Sequence, residues 1–251
     1  MSIWGKIIGG TAGFALGGPI GALLGLAAGH GVDKAKIKNE NNSSSFLKSD
    51  ESEQIFATGV IALAAKLSKI DGKVSQDEIS TFKKIFEFPN SDLDVISKLF
   101  NTAKEDAYDY KSYAIQLSSH FKDKKVLNEI LNALFAIAYA DKSLHHNEEN
   151  MLIEISKIFR IDQEGYERIK NIYDVKISST DFNKLKKCYD LLGVKESDSL
   201  DVIKKKYLKV VRDYHPDKIQ GKGLPEDFIE FANKKLKDFN EAYNEIKKNK
   251  K

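Results

Sequence analysis

Cysteine is almost missing from this chain: Cys188 is the single one in 251 residues. One cysteine excludes a disulfide framework, agrees with a reducing compartment, and rules out zinc sites built from Cys-x-x-Cys pairs. Proline is also scarce, with four in all, so little interrupts a helical chain. Sustained alternation of apolar and polar residues, the mark of a half-buried strand, does not occur. Residues 7–29 contain no charged side chain. What remains, with 41% hydrophobic residues, supports more than one folded unit, and the expected class is all-α.

The charge-free run is 23 residues long, about 34 Å as a helix and enough to cross a bilayer. Gly5, Gly9, Gly13, Gly17, Gly21, Gly25 and Gly29 recur every four residues through and around it. On a helix they form one stripe without side chains, the surface that lets two membrane helices approach closely. Ile8, Phe14, Leu16, Ile20, Leu23, Leu24 and Leu26 are then expected to meet lipid. A cleaved signal peptide is normally shorter, a flexible tail leaves the four-residue period unexplained, and a surface helix needs a charged face. Lys34, Lys36 and Lys38 follow the run, against Lys6 before it, so the C-terminal side is expected to be cytoplasmic.

Asn39 to Ser52 is polar, with Ser43-Ser44-Ser45, and reads as a linker. Helical periodicity then predicts helices near 53–69, 76–87, 92–104, 109–121, 125–140, 147–159 and 163–173. A weak repeat is present. An alanine-rich helix ending at Asp71 leads to Ser75 and Glu78, and seventy residues on another ending at Asp141 leads to His145 and Glu148. Ser75 with Glu78 suits a capping box. The Asp71 segment is no EF-hand, because Lys73, Gln76 and Phe82 stand where that loop needs ligand, glycine and glutamate. Repeat symmetry leaves Asp71, Glu78, Asp141 and Glu148 as candidate metal ligands, beside plain turn and cap roles.

At the C-terminal end Leu185, Cys188, Tyr189 and Leu192 mark a short helix ended by Gly193. On a helix from Leu200 to Tyr214 with Ser199 as N-cap, Ile203, Tyr207, Val210 and Tyr214 share one face. Lys204, Lys205, Lys209 and Arg212 share the opposite one, with Leu208 among them. Phe228, Ala232, Phe239, Tyr243 and Ile246 stripe a further helix of about 22 residues. The two long helices are expected to pack antiparallel. Between them stands His215-Pro216-Asp217. Cys188 falls on an apolar stripe, which suits core packing better than nucleophilic chemistry.

Tyr189-Asp190-Leu191-Leu192-Gly193-Val194, Tyr207 to Lys218 with its His-Pro-Asp, and Asn240-Glu241-Ala242-Tyr243 resemble a J domain. The resemblance spans about 181–251. It implies docking on a DnaK-type chaperone ATPase through His215, Pro216 and Asp217, with Lys204, Lys205, Lys209 and Arg212 in support. Leu208 departs from the basic residue usual there. Proline shapes such a loop, aspartate accepts charge-assisted hydrogen bonds, and lysines steer an acidic partner. The repeat region resembles the TerB-like helical domain. With the Trp4-Gly5-Lys6-Ile7-Ile8-Gly9 start and the Gly221-Lys222-Gly223-Leu224-Pro225 segment, the whole chain is similar to the DjlA family of membrane-anchored DnaJ-like proteins.

Four segments follow: a transmembrane helix at 1–31, a linker at 32–52, a TerB-like domain at 53–175 and a J domain at 181–251. The expected function is that of a single-pass inner-membrane co-chaperone with a short outer N-terminus. It recruits and stimulates a DnaK-type ATPase at the cytoplasmic face and has no catalytic residues or cofactor of its own. The resemblance implies a homodimer paired through the span. The alternative is a membrane-anchored stress or metal-sensing scaffold acting through 53–175, where a client or regulatory protein is expected to bind. No glycine/phenylalanine-rich region is present, which argues against general client binding. Residues 181–251 carry +5 and the rest −2, yet the basic face lacks stacking aromatics, which disfavours nucleic acid.

Overall fold

The computed structural model describes residues 17–28, 46–72, 75–86, 93–177, 184–213, 224 and 226–250. Among these the chain forms eleven helices and no strand. They are α1 (Gly18–Ala28), α2 (Phe46–Lys69), α3 (Gln76–Phe86), α4 (Leu93–Ala103), α5 (Tyr110–His120), α6 (Lys124–Ala138), α7 (His146–Ile158), α8 (Gln163–Ile177), α9 (Lys184–Leu192), α10 (Leu200–Asp213) and α11 (Glu226–Asn249).

Helix α2 is the axis of the central unit. Every residue from Gln54 to Ser68 is buried, as expected of a helix apolar all round. It packs on α4, α5, α6 and α7. A Cβ at Gly59 would stand 2.7 Å from the Leu117 side chain, so α2 and α5 approach as closely as they do only because that residue is glycine. One charge lies inside this apolar rod. Lys66 is 1% exposed, donates to the Ala103 and Asp106 carbonyls at 2.8 and 2.7 Å, and pairs with Asp109. A lysine is retained there because three acceptors and the Tyr113 ring, 4.6 Å away, replace its water.

The repeat is visible as matching helix starts. The Ser75 N–H donates to Glu78 at 2.7 Å and the Glu78 N–H returns a bond to Ser75 Oγ at 3.0 Å, completing the expected capping box. Seventy residues on, the His145 N–H donates to Glu148 at 3.0 Å. Helix α6 begins with the Asp123 carboxylate accepting the Lys125 N–H.

Helix α1 departs from the expected span. Gly17 and Gly18 both have left-handed φ, +59° and +64°, so the backbone turns there and the described helix has eleven residues. Gly17 precedes it and accepts the Gly21 N–H at 3.2 Å, the first bond of the helix. Ile20, Leu23 and Leu24, expected to meet lipid, are buried instead, since α1 lies against α2, α4 and α5. Leu26 is exposed. Among the described residues no helix is long and apolar enough to cross a membrane. Gly5, Gly9, Gly13 and Gly29, with Ile8, Phe14 and Leu16, lie outside the described residues.

Candidate chaperone-docking face

The C-terminal unit is a helical hairpin on a short first helix. Helix α9 ends as expected at Gly193, whose φ is +62°. The Val194 N–H bonds back to the Tyr189 carbonyl and the Gly193 N–H to that of Asp190, both at 3.0 Å. Helix α10 packs on α11, and α11 on α9. The predicted stripe is the buried one: Ile203, Val210, Phe228, Ala232, Phe239 and Ile246 are at most 2% exposed. Tyr207 stacks on Tyr243 at 4.2 Å and 7°, while its hydroxyl donates to Asn240 Oδ1 at 2.9 Å. Three residues of two separated sequence motifs thus meet at one contact. At the far end Lys250 donates to the carbonyls of Glu196 and Asp198 at 2.6 Å, closing α11 onto the loop before α10.

The opposite face of α10 points outward. Lys204, Lys205, Lys209 and Arg212 are all exposed, and among the described residues none makes an ion pair. The helix therefore presents four uncompensated cations along one side, an arrangement that attracts an acidic surface. Leu208 lies on this face at 47% exposure, as does Val202. Lys206, between them in sequence, is instead turned to Glu164 of α8 at 3.0 Å. His215, Pro216 and Asp217 lie outside the described residues, as does Tyr214. Helix α10 ends at Asp213 and leads directly into them.

The four acidic candidates of the repeat are divided. Glu78 and Glu148 are buried capping carboxylates, and Asp141 accepts from the Ser143 N–H and hydroxyl at 3.0 Å. Burial pushes Glu148 up to about 7, with the charges of Glu78 and Asp71 adding to the effect. His145 stands 3.4 Å from Asp141. Among the described residues no group of three or more His, Cys, Asp or Glu is placed to hold a metal ion. Cys188 is half-buried and packs against the core, as its stripe predicts.

Periodicity missed the buried polar groups. Lys66, Gln116, Glu129 and Lys235 look like ordinary surface residues in the sequence, and only the surrounding helices bury or engage them.

These features define an all-helical J-domain protein with a TerB-like centre. The family model "DnaJ domain" matches residues 187–251, "Tellurite resistance protein TerB" matches 57–171, and "Co-chaperone DjlA transmembrane domain" matches 1–43. The three matches stand in the order transmembrane, TerB and DnaJ along the chain, and the chain is similar to DjlA co-chaperones over its whole length. It is similar to the co-chaperone protein DjlA of Photobacterium profundum, 29% identical over 99% of both chains. It is also similar to those of Escherichia coli K12, 27% identical, and Yersinia pseudotuberculosis, 26% identical, each over all of this chain and 99% of the relative. No solved structure matches the chain significantly.

Proposed function

We propose that this protein is a co-chaperone anchored in the inner membrane that recruits a DnaK-type ATPase from the cytoplasmic side and speeds its hydrolysis step. One observation carries the reading most directly. The hairpin holds Lys204, Lys205, Lys209 and Arg212 outward and uncompensated on the helix that runs into His215-Pro216-Asp217. The four cations steer an acidic partner, and the tripeptide supplies the contact that the partner reads. No bond is made or broken on this chain; the chemistry is the partner's.

Residues 1–31 are the proposed anchor, which requires α1 to leave its seat on α2, α4 and α5 on entering the bilayer, with the polar stretch 32–45 as tether to the TerB-like unit. Pairing of two copies would use Gly5, Gly9 and Gly13, ahead of the turn at Gly17. The match of residues 1–43 to the DjlA transmembrane family supports the anchor. Three lysines after the charge-free run against one before it support a cytoplasmic C-terminal side.

Single-turnover ATP hydrolysis by a DnaK-type chaperone, with the wild-type chain and with His215→Gln, tests the reading. Stimulation by the wild type and its loss in the variant are expected. Equal stimulation by both overturns it.

A further inference from the structure

Helix α11 does more than complete the C-terminal hairpin. Phe228, with no exposed surface, leaves that hairpin to enter the central unit. Its ring meets Phe56 of α2 at 4.6 Å and 66°, and lies nearly parallel to Phe86 of α3 at 6.0 Å. Seven residues on, and so on the same side of the helix, Lys235 is 5% exposed with its ammonium 4.1 Å from the centre of the Tyr173 ring of α8. Tyr173 donates to the carbonyl and side-chain oxygens of Asn132 at 2.9 and 2.7 Å. Asn132 donates to Glu129 at 3.2 Å. Glu129 is 2% exposed, and the Lys235 charge acts on it. At the edge Lys206 of α10 bonds Glu164 of α8 at 3.0 Å.

The chemistry of this contact is selective. Burying a lysine or a carboxylate costs several kcal/mol unless a partner replaces water. Lys235 finds an aromatic face, and Glu129 finds the Asn132 amide with the Lys235 charge acting on it. An apolar contact alone could slide along the helix, whereas a buried cation over one ring admits one register. Only six residues separate α8 from α9, so the hairpin is tethered beside this surface at high effective concentration. The basic face of α10 stays exposed while this docking is made.

The geometry points to the TerB-like unit as the receptor of the chain's own J domain. Phe228 is held between Phe56 and Phe86, Lys235 is latched over the Tyr173 ring, and the chaperone-docking face of α10 is thereby fixed outward. This surface of the central unit is accordingly closed to any client while the J domain is docked.

Hydrogen exchange of the full-length chain in lipid nanodiscs tests this without a chaperone, independently of the ATPase reading. Lys235→Glu is expected to speed exchange in α3 and α8 about tenfold, the size of one lost charge-assisted contact, while Ile130–Phe135 of α6 keep their protection. Glu164→Lys, on an exposed residue, is expected to speed α8 exchange about twofold. Adding Lys206→Glu to it is expected to restore the wild-type rate. Unchanged exchange of α3 and α8 in both single variants overturns the proposal. If Lys235→Glu also unprotects α6, the exposed pair decides: rescue by the double substitution supports docking, and no effect of either substitution refutes it.

Discussion

Gln116 and Ile20, 96 positions apart, are joined by a hydrogen bond in which the Ile20 N–H donates to the side-chain carbonyl at 2.9 Å. The same amide donates its N–H to the Gly17 carbonyl at 3.0 Å. A glutamine of α5 thus caps the start of α1, where the first N–H groups of a helix have no partner of their own. With Ile20, Leu23 and Leu24 buried beside it, this cap gives the segment a specific seat on the central unit.

Gly18 is held tightly by that seat. Its φ is +64°, and a Cβ would stand 2.8 Å from Gln116 Oε1. Gly18→Ala is expected to weaken the seat by about 1–2 kcal/mol through left-handed strain and displacement of the amide. Faster exchange of the α1 amides, with α6 unchanged, is the readout. Gln116→Ala should give a similar result by removing the cap.

Lys66 is a buried cation with three acceptors around it. Lys66→Ala leaves Asp109 and the Ala103 and Asp106 carbonyls without their shared cation. A loss of about 3 kcal/mol or more is expected, read as a lower urea midpoint. Lys66→Met keeps the volume but not the charge, and is expected to cost less than Lys66→Ala, because no cavity is left and Asp109, 39% exposed, regains water.

Stability should fall as pH rises through neutrality. Glu148 titrates near 7 in the fold against an ordinary 4.5, because burial penalises its charge. Glu129 is likewise pushed up to about 7 by burial. A group whose pKa is raised on folding contributes stability that is complete below its unfolded value and lost as pH climbs through the folded one. The thermal midpoint is therefore expected to be higher at pH 5 than at pH 8. Glu148→Gln, which can still accept the His145 N–H, should flatten that slope and raise the pH 8 midpoint. A steeper slope in the variant would contradict the assignment.

Leu208 interrupts the basic face at 47% exposure. Leu208→Lys adds a fifth cation to it. Under the proposed function, the association rate with the chaperone is expected to rise at low salt and its salt dependence to steepen, with the fold unchanged. Stopped-flow binding at two ionic strengths measures both.

Much of the architecture was legible from residue periodicity. Ile203, Tyr207 and Val210 face the core and the four basic residues face solvent, because one amphipathic helix has no other stable way to lie on α11. The α3 to α8 boundaries fall within a few residues of those expected, and Ser75 with Glu78 caps as its spacing implies. The start of α2 was missed by seven residues, since its first turns are polar and carry no periodic signal. The apolar run 7–29 read as one helix because hydropathy cannot see two successive glycines taking left-handed φ.

The sequence by itself determined that this is an all-helical chain of the DjlA type with a basic helix leading into His-Pro-Asp, because periodicity and motif spacing are local properties. The tertiary structure decided which polar residues are internal. Lys66, Glu129 and Lys235 have the composition of surface residues. The two lysines are kept inside by Ala103 and Tyr173, 37 and 62 positions away, brought near only when the helices pack. That same packing placed Phe228 in the central unit and the lysines of α10 on the outside.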